Sequence, residues 1–216
     1  MEQNRNSRQG ASGGLVLIVG PSGAGKDSLI AYVRERVGAS LPLTVARRVV
    51  TRAASASDED HDELSPDEFA RQAEAGAFAL HWSAHGLSYA IPVGIRAELE
   101  GGRVVVANVS RRVIDAARGS YPRLMVVNVT APAEILAQRL ARRGRESEAE
   151  IRARLAQARS RTVEGDDVLA LDNSGPLETA GEALLAALRR WAADIGTSAA
   201  IRPGARDAET GSTPRS

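Results

Sequence analysis

The sequence contains no cysteine, few aromatic residues and no long apolar run, and each absence excludes a class of protein. Without cysteine, its 216 residues form neither a disulfide framework nor a thiolate metal site. No segment approaches the roughly 20 apolar residues that a membrane span needs. The first residues, MEQNRNSRQGASGG, also lack the apolar core of a signal peptide. We therefore expect a cytoplasmic protein with no membrane partner.

Neither sign of charge dominates, because 28 Lys and Arg residues face 27 Asp and Glu residues. A net charge of +1 gives no reason to expect a nucleic-acid partner. The length suits one globular domain, and aromatic residues make up only 3%, so its core must be aliphatic. We predict a single domain over residues 14–196, between disordered tails at 1–13 and 197–216.

Apolar runs alternate with segments of helical periodicity along this domain. Leu15 to Val19 is continuously apolar, which is typical of a strand buried on both faces of a parallel sheet. The alternation predicts an α/β sandwich, with a polar surface loop at 53–63. Further strands are predicted at 45–50, 104–109, 124–129 and 168–171. Helices are predicted at 28–37, 132–144 and 147–161 and around Leu184 to Trp191.

The stretch GPSGAGKDS matches the phosphate-binding loop G-x-x-x-x-G-K-[ST], except that Asp27 replaces the hydroxyl residue. The glycines let backbone N–H groups face an anion, and Lys26 places a point charge on the β- and γ-phosphates. A buried strand precedes the loop and a helix follows it, which is the context that the motif requires. We predict that the nucleotide is bound by Gly20, Pro21, Ser22, Gly23, Ala24, Gly25, Lys26, Asp27 and Ser28.

Asp27 can still face Mg²⁺, because a carboxylate is a hard oxygen ligand. Its charge strengthens metal binding but repels phosphate when the metal is absent, so metal and nucleotide should enter together. Two alternatives are that Ser28 is the ligand, or that the loop is degenerate. One helical residue is a rotation of about 100°, which points Ser28 elsewhere. A degenerate loop would have no reason to keep Lys26 and its glycines.

A cluster of arginines lies between residues 139 and 154. Arg139 and Arg143 are four residues apart, so they share one face of a helix that ends at a glycine hinge. A closing arginine lid supplies positive charge to a moving phosphoryl group and excludes water. Arginines at 47, 48 and 52 lie at the end of a predicted strand, where open α/β sheets bind ligands, and indicate an anionic acceptor.

Taken in order, several motifs resemble the ribose 1,5-bisphosphate phosphokinase family, which makes phosphoribosyl pyrophosphate with ATP in phosphonate metabolism. These motifs are GPSGAGKD, RVVTR, the E-x-H loop, FALHWSAHGLSY, NVSR and RLARRGRE. That family carries GKD, so Asp27 belongs to its pattern. The resemblance covers residues 14–175 and implies a guanylate-kinase-like P-loop fold, with an acceptor-binding insertion at about 44–92 and a lid at about 139–154.

The resemblance also implies roles for individual residues, with ATP and Mg²⁺ as cofactors and a phosphorylated ribose as the small-molecule substrate. Catalysis would use Lys26, and Arg139, Arg143 and Arg154 match the spacing of the lid arginines of guanylate kinase. Arg48 and Arg52 would hold acceptor phosphate. The remaining acceptor-pocket residues rest on the motifs alone: Glu59, His61, His85, Tyr89, Asn108 and Arg111.

Two alternatives stay open: guanylate kinase or another small-molecule or nucleotide phosphokinase, and a catalytically silent module. A homodimer stays open as well. Guanylate kinase requires a T-R-x-x-R-x-G-E motif and a D-Y-x-F element to read guanine. This chain instead has TRAASASDEDHDELSPDEF, which lacks the tyrosine and the second arginine. A catalytically silent guanylate-kinase-like module is the second alternative, although such modules commonly lose the phosphate loop.

Overall fold

The computed structural model describes residues 13–51, 61–84, 86–143 and 163–200, with backbone alone at 143 and 196–200. Nine strands and six α-helices lie within these ranges. The strands are β1 (Gly14–Val19), β2 (Leu43–Val45), β3 (Arg48–Thr51), β4 (His61–Leu64), β5 (Phe78–Ala84), β6 (Leu87–Pro92), β7 (Val104–Asn108), β8 (Leu124–Thr130) and β9 (Val168–Asp172). The helices are α1 (Lys26–Arg36), α2 (Pro66–Glu74), α3 (Ile95–Glu100), α4 (Ile114–Ser120), α5 (Ala133–Arg143) and α6 (Leu177–Ala200), with a 3₁₀ turn at Arg111–Val113.

The central sheet has five parallel strands in the order β2-β7-β1-β8-β9. β1 is its middle strand, and its residues alternate between two apolar clusters. Val16 and Ile18 pack on the side of α1 and α6, whereas Leu15 and Leu17 pack on the side of α3, α4 and the second sheet. The continuous apolar run of β1 therefore reflects burial on both faces. This arrangement confirms the predicted α/β sandwich with a parallel core.

A second sheet has the order β4-β3-β6-β5 and lies within the predicted acceptor-binding region. β3 and β4 are parallel, while β6 runs antiparallel to both β3 and β5. Gly86, directly before β6, has a φ of 75°, a conformation that favours glycine. On β5 and β6, Trp82 and Tyr89 stack with ring centroids 5.5 Å apart. This sheet packs on one face of the central sheet and places β3 beside the phosphate loop.

The single strand predicted over residues 45–50 is wrong, because the structure divides this run between two sheets. Val45 pairs with Val106 in the central sheet, whereas Val49 pairs with Ala90 in the second sheet. The break lies between β2 and β3, at Ala46 and Arg47. Each half is apolar because other residues bury it, but the residues that bury the β2 half differ from those that bury the β3 half.

Other boundaries agree with the sequence or differ from it at the ends of elements. α1 begins at Lys26 and Gly38 follows it with a φ of 63°. The end of the loop predicted at 53–63 is wrong, because His61 pairs with Arg48 at the start of β4. α6 continues to Ala200, beyond the predicted start of the C-terminal tail at 197. The predicted helix at 147–161 lies outside the described residues, and no helix within them is long and apolar enough to cross a membrane.

Candidate active site

The phosphate-binding loop lies at the carboxyl end of β1, in the middle of the central sheet. Strands β2 and β7 lie on one side of β1, and β8 and β9 lie on the other. The loop therefore occupies the point where the strand order reverses, which is where open α/β sheets bind ligands. Gly25 precedes α1 and offers no side-chain cap. The start of this 11-residue helix thus has no side-chain cap, and helix N-termini of this kind bind anions.

Two glycines of the loop have conformations and surroundings that exclude a side chain. Gly20 has a φ of 147°, and a Cβ there would overlap the carbonyl oxygen of Val129. Gly25 has a φ of 83°, and a Cβ would lie 2.5 Å from the side-chain nitrogen of Asn173. The glycine pattern of the motif therefore follows from close approach of β8 and of the segment after β9.

Lys26 carries the positive charge of the loop. Its Nζ donates hydrogen bonds to the carbonyl oxygens of Gly20 and Pro21, each 3.0 Å away. The ammonium group is therefore held against the turn that the motif uses to surround phosphate. Lys26 is also the only lysine in the chain, since the other 27 of its 28 basic residues are arginines. A lysine-selective reagent consequently reports on this loop.

Asp27 joins the phosphate loop to the second sheet. Its Oδ1 accepts a hydrogen bond from Nδ2 of Asn108 at 2.6 Å. The same oxygen lies 3.7 Å from Nη2 of Arg48, the first residue of β3. The Arg48 side chain is 19% exposed, while that of Asp27 is 51% exposed and therefore open to a ligand. One carboxylate oxygen thus contacts residues from both sheets.

The opposite side of the loop borders a cleft of about 280 Å³. Arg139 of α5 reaches the loop here, and its Nη1 donates a long hydrogen bond of 3.5 Å to the carbonyl of Gly23. Ser28 faces this cleft and Asp27 faces Asn108, so the two neighbouring side chains diverge as the helical rotation predicts. The cleft is lined by Gly23, Gly25, Ser28, Arg139, Arg142, Asn173 and Leu177.

Asn173 is a site residue that the sequence analysis missed. Its Nδ2 donates to the carbonyl of Ala24 at 2.7 Å, and its backbone N–H donates to Thr130 at 2.8 Å. The residue is 3% exposed. Within the described ranges its Oδ1 has no hydrogen-bond partner. The available signal was its position directly after β9, where polar residues meet the carboxyl edge of the sheet.

An ion pair fixes the segment that leads into β9. Arg118 of α4 donates to both carboxylate oxygens of Asp167, at 2.9 and 2.7 Å, and to the carbonyl of Glu164 at 2.6 Å. The hydrogen bonds from Arg118 lower the pKa of the Asp167 carboxyl below its usual range. The same bonds raise the pKa of Arg118. This pair therefore anchors the segment that leads to β9 and Asn173.

The structure describes only some of the remaining predicted residues. His61 is buried on β4, with Nε2 3.3 Å from a carboxylate oxygen of Glu63. Tyr89 stacks on Trp82, and half-buried Arg111 begins the 3₁₀ turn after β7. Their contacts with substrate stay predictions. Predicted site residues outside the described ranges are Arg52, Glu59, His85 and Arg154, together with the Arg143 side chain.

Among the described residues, the site combines several cations with the Asp27 carboxylate. Lys26 lies on the loop, Arg48 contacts Asp27, and Arg139 and Arg142 border the cleft. Such an excess of positive charge suits phosphate groups, because oriented cations stabilise anions in a partly desolvated site. Asp27 supplies a half-exposed, hard oxygen donor of the kind that Mg²⁺ takes together with nucleotide phosphates and water. The side chains present therefore fit a magnesium nucleotide.

Comparisons with known proteins agree with this geometry. A family model described as an AAA domain matches residues 16–158. The chain is 48% identical to ribose 1,5-bisphosphate phosphokinase PhnN of Chelativorans sp. (strain BNC1) over 187 residues, covering 86% of this chain and 88% of the relative. It is 51% identical to the protein of the same name from Acidiphilium cryptum (strain JF-5) over 179 residues, covering 83% and 94%.

Two solved structures share the fold at low sequence identity. Guanylate kinase from Anaplasma phagocytophilum matches with a TM-score of 0.60 and 16% identity, covering 83% of this chain and 86% of that structure. A gluconokinase from Sinorhizobium meliloti 1021 matches with a TM-score of 0.50 and 18% identity, covering 87% and 98%. These likenesses confirm the predicted guanylate-kinase-like fold.

Proposed function

The chain belongs to the ribose 1,5-bisphosphate phosphokinase family, and on this premise we propose that it transfers the γ-phosphoryl group of ATP to ribose 1,5-bisphosphate. The product is 5-phosphoribosyl 1-pyrophosphate. One structural observation gives the main support for this proposal. Asp27 of the phosphate loop contacts Arg48 of the second sheet, so a donor site and a cation for an acceptor phosphate adjoin each other.

The donor side uses the loop after β1. Backbone N–H groups of the loop and of the first turn of α1 bind the phosphates, and Lys26 neutralises charge on the group that moves. Arg139 lies against the same loop from α5 and adds positive charge. The cleft lined by Arg139 and Asn173 leaves room for the rest of the nucleotide.

The acceptor side requires charge more than a base. The attacking 1-phosphate is already an anion at neutral pH, so positioning and charge neutralisation supply most of the catalysis. Arg48 is the described residue best placed to hold it, because its guanidinium lies beside the loop. We further propose that Arg52 and Arg111 hold acceptor phosphates, and that Arg143 and Arg154 close over the transferred group.

Asp27 is the residue that would hold Mg²⁺. When bound, the ion neutralises charge on the nucleotide phosphates and helps to orient them. Without it, the Asp27 carboxylate repels an incoming phosphate, and Arg48 and Asn108 satisfy its oxygen instead. We therefore expect nucleotide to bind with Mg²⁺ as one unit.

The alternatives considered from the sequence have less support. Guanylate kinase shares the fold but only 16% of the sequence, whereas the two phosphokinase relatives share about half. A silent module does not account for a loop that keeps Lys26, Asp27 and the strained glycines. Cytoplasmic location and a homodimer stay predictions.

The decisive assay measures ADP formation by the purified protein with Mg²⁺ and ATP, comparing ribose 1,5-bisphosphate with GMP. We expect turnover of the bisphosphate, with a product mass that matches the 1-pyrophosphate. Preference for GMP would refute the assigned acceptor and leave the phosphate-loop assignment standing. Turnover of neither would favour the silent module.

Lys26→Ala tests the donor site. Losing one charged donor should lower kcat by about 100- to 1000-fold, because the charge acts mainly on the transition state. Arg34→Ala is the matched control, since it removes an exposed cation from the same helix. A lysine-reactive ATP analogue should also label Lys26 alone among side chains, and excess ATP should prevent labelling. Near-normal turnover by Lys26→Ala would exclude the proposed role.

A further inference from the structure

Asp27 and Asn108 are in contact although 81 positions separate them in the chain. Residue 27 occupies the position where phosphate-loop enzymes carry Ser or Thr. Asn108 ends β7, the strand that pairs directly with β1. In the usual arrangement the hydroxyl residue of the loop and an aspartate from a second motif together hold Mg²⁺. The contact therefore joins the two positions from which a magnesium site is normally built.

We propose that the two magnesium-binding positions have exchanged their chemistry, so that the carboxylate lies on α1 and its neutral partner lies on β7. The usual pair has a neutral hydroxyl on the loop and a carboxylate outside it. Here the Asn108 amide donates to the Asp27 carboxylate at 2.6 Å. The site keeps one negative charge and one hydrogen bond between the two positions. Asn108 is thus a positioning residue that orients Asp27, and this inference rests on the proposed function.

Burial gives a physical reason for the direction of the exchange. Asn108 is 5% exposed, whereas the Asp27 side chain is 51% exposed. A buried carboxylate costs more in lost hydration than an exposed one, so the charge has moved to the wetter position. The neutral amide remains in the dry position, where it makes its hydrogen bond without carrying charge.

The exchange also has a consequence for the acceptor side. The charge on Asp27 is 3.7 Å from the Arg48 guanidinium. Because the Asp27 carboxylate would serve both Mg²⁺ and Arg48, holding the ion would weaken this ion pair and leave more of the Arg48 charge for an acceptor phosphate. Metal binding and acceptor binding are thereby coupled through one carboxylate.

The test changes the two side chains singly and then exchanges them in a double variant. The reporter is the dissociation constant of a fluorescent ATP analogue, measured with Mg²⁺ and then with EDTA, and the ratio of the two constants gives the benefit of the metal. Asp27→Asn and Asn108→Ala should each lower this benefit by at least about tenfold, as loss of ligands and of their orienting partners does elsewhere. The double variant Asp27→Asn with Asn108→Asp has the same composition and net charge as the natural chain. It should recover most of the benefit.

Control variants distinguish a specific effect on the magnesium site from a general loss of folding or of nucleotide binding. Glu35→Gln makes the same carboxylate-to-amide change on an exposed position of α1 and should leave the ratio unchanged. Asp27→Ser with Asn108→Asp restores the usual pairing and serves as a second rescue. Thermal unfolding identifies variants that do not fold. If the double variants do not fold, the metal benefit measured for Asn108→Ala decides whether the exchange stands.

The outcomes distinguish the inference from the proposed function. A full metal benefit in Asp27→Asn or in Asn108→Ala would overturn the exchange. Folded double variants that remain as poor as Asp27→Asn would overturn it too. If the variants show the rescue pattern but the natural chain does not phosphorylate ribose 1,5-bisphosphate, the proposed function is refuted and the exchange stands.

Discussion

Gly181→Ala should destabilise this protein, although alanine is normally the better helix residue. Gly181 is buried in α6, where it faces the ring of Tyr32 on α1. An added Cβ would lie 2.7 Å from Cε1 and Cγ of that ring and still closer to Cδ1. Carbon atoms prefer separations of roughly 3.5–4.0 Å, so the ring or the helix must move by about 1 Å.

The ring has little freedom to move. The Tyr32 hydroxyl donates to a carboxylate oxygen of Glu182 at 2.7 Å, and the Arg36 guanidinium lies 3.9 Å from the ring centroid. Overpacking costs about 1–3 kcal/mol, against a gain of about 1 kcal/mol from helix propensity. Loss of the hydroxyl hydrogen bond adds about 0.5–1.5 kcal/mol. The net loss is therefore about 0.5–3.5 kcal/mol.

Urea unfolding measures this loss of stability, and the m-value should stay unchanged. Each kcal/mol of lost stability should lower Tm by about 2–4 °C. Gly119→Ala is the matched control, because a Cβ there meets no atom within 4 Å and the exposed end of α4 should gain up to about 1 kcal/mol. In a Tyr32→Ala background, Gly181→Ala should become stabilising. A natural-background Gly181→Ala protein as stable as the parent would refute the steric reasoning.

Two further predictions concern the segment around β9. Asn173→Ala removes the hydrogen bond that holds the Ala24 carbonyl, so we expect a several-fold rise in KM for ATP and a loss of about 0.5–1.5 kcal/mol; an unchanged KM in steady-state kinetics would contradict this. Asp167→Asn weakens the ion pair with Arg118, whose partly exposed groups contribute up to about 1 kcal/mol at neutral pH. Because the pKa of Asp167 is lowered in the folded protein, this contribution is complete above the unfolded pKa and disappears as the pH falls through the folded one. The stability difference from the parent in urea titrations should therefore vanish in strong acid, and a difference that grows there would refute it.

Sequence reasoning succeeded where neighbouring residues determine the structure. β1, the phosphate loop and the start of α1 are contiguous, and their conformation follows from a buried apolar run, glycines with positive φ and an uncapped helix start. The positions of the later parallel strands were predictable for the same reason, since strands buried on both faces read as apolar runs. The divergence of Asp27 and Ser28 required only the geometry of one helix.

Sequence reasoning failed where an apolar run or a polar side chain needed a partner to define its role. Residues 45–50 read as one strand, because apolarity records burial but not which sheet provides it. Asn173 was missed, since its importance depends on β9 lying close to the loop. The predicted place of Asn108 in the acceptor pocket stays a prediction, and the motif alone did not reveal that its amide donates to Asp27.

By itself, the sequence determined the class of fold, the phosphate loop and the presence of an unusual aspartate, because local conformation and burial encode these features directly. Only the tertiary structure decided what that aspartate contacts. Asp27, Arg48 and Asn108 come from three separate elements, and it is the pairing of β7 with β1 and the docking of β3 beside them that bring their side chains together. Hydrogen bonds and charges act over a few ångströms in space, so their partners are set by the fold and not by distance along the chain.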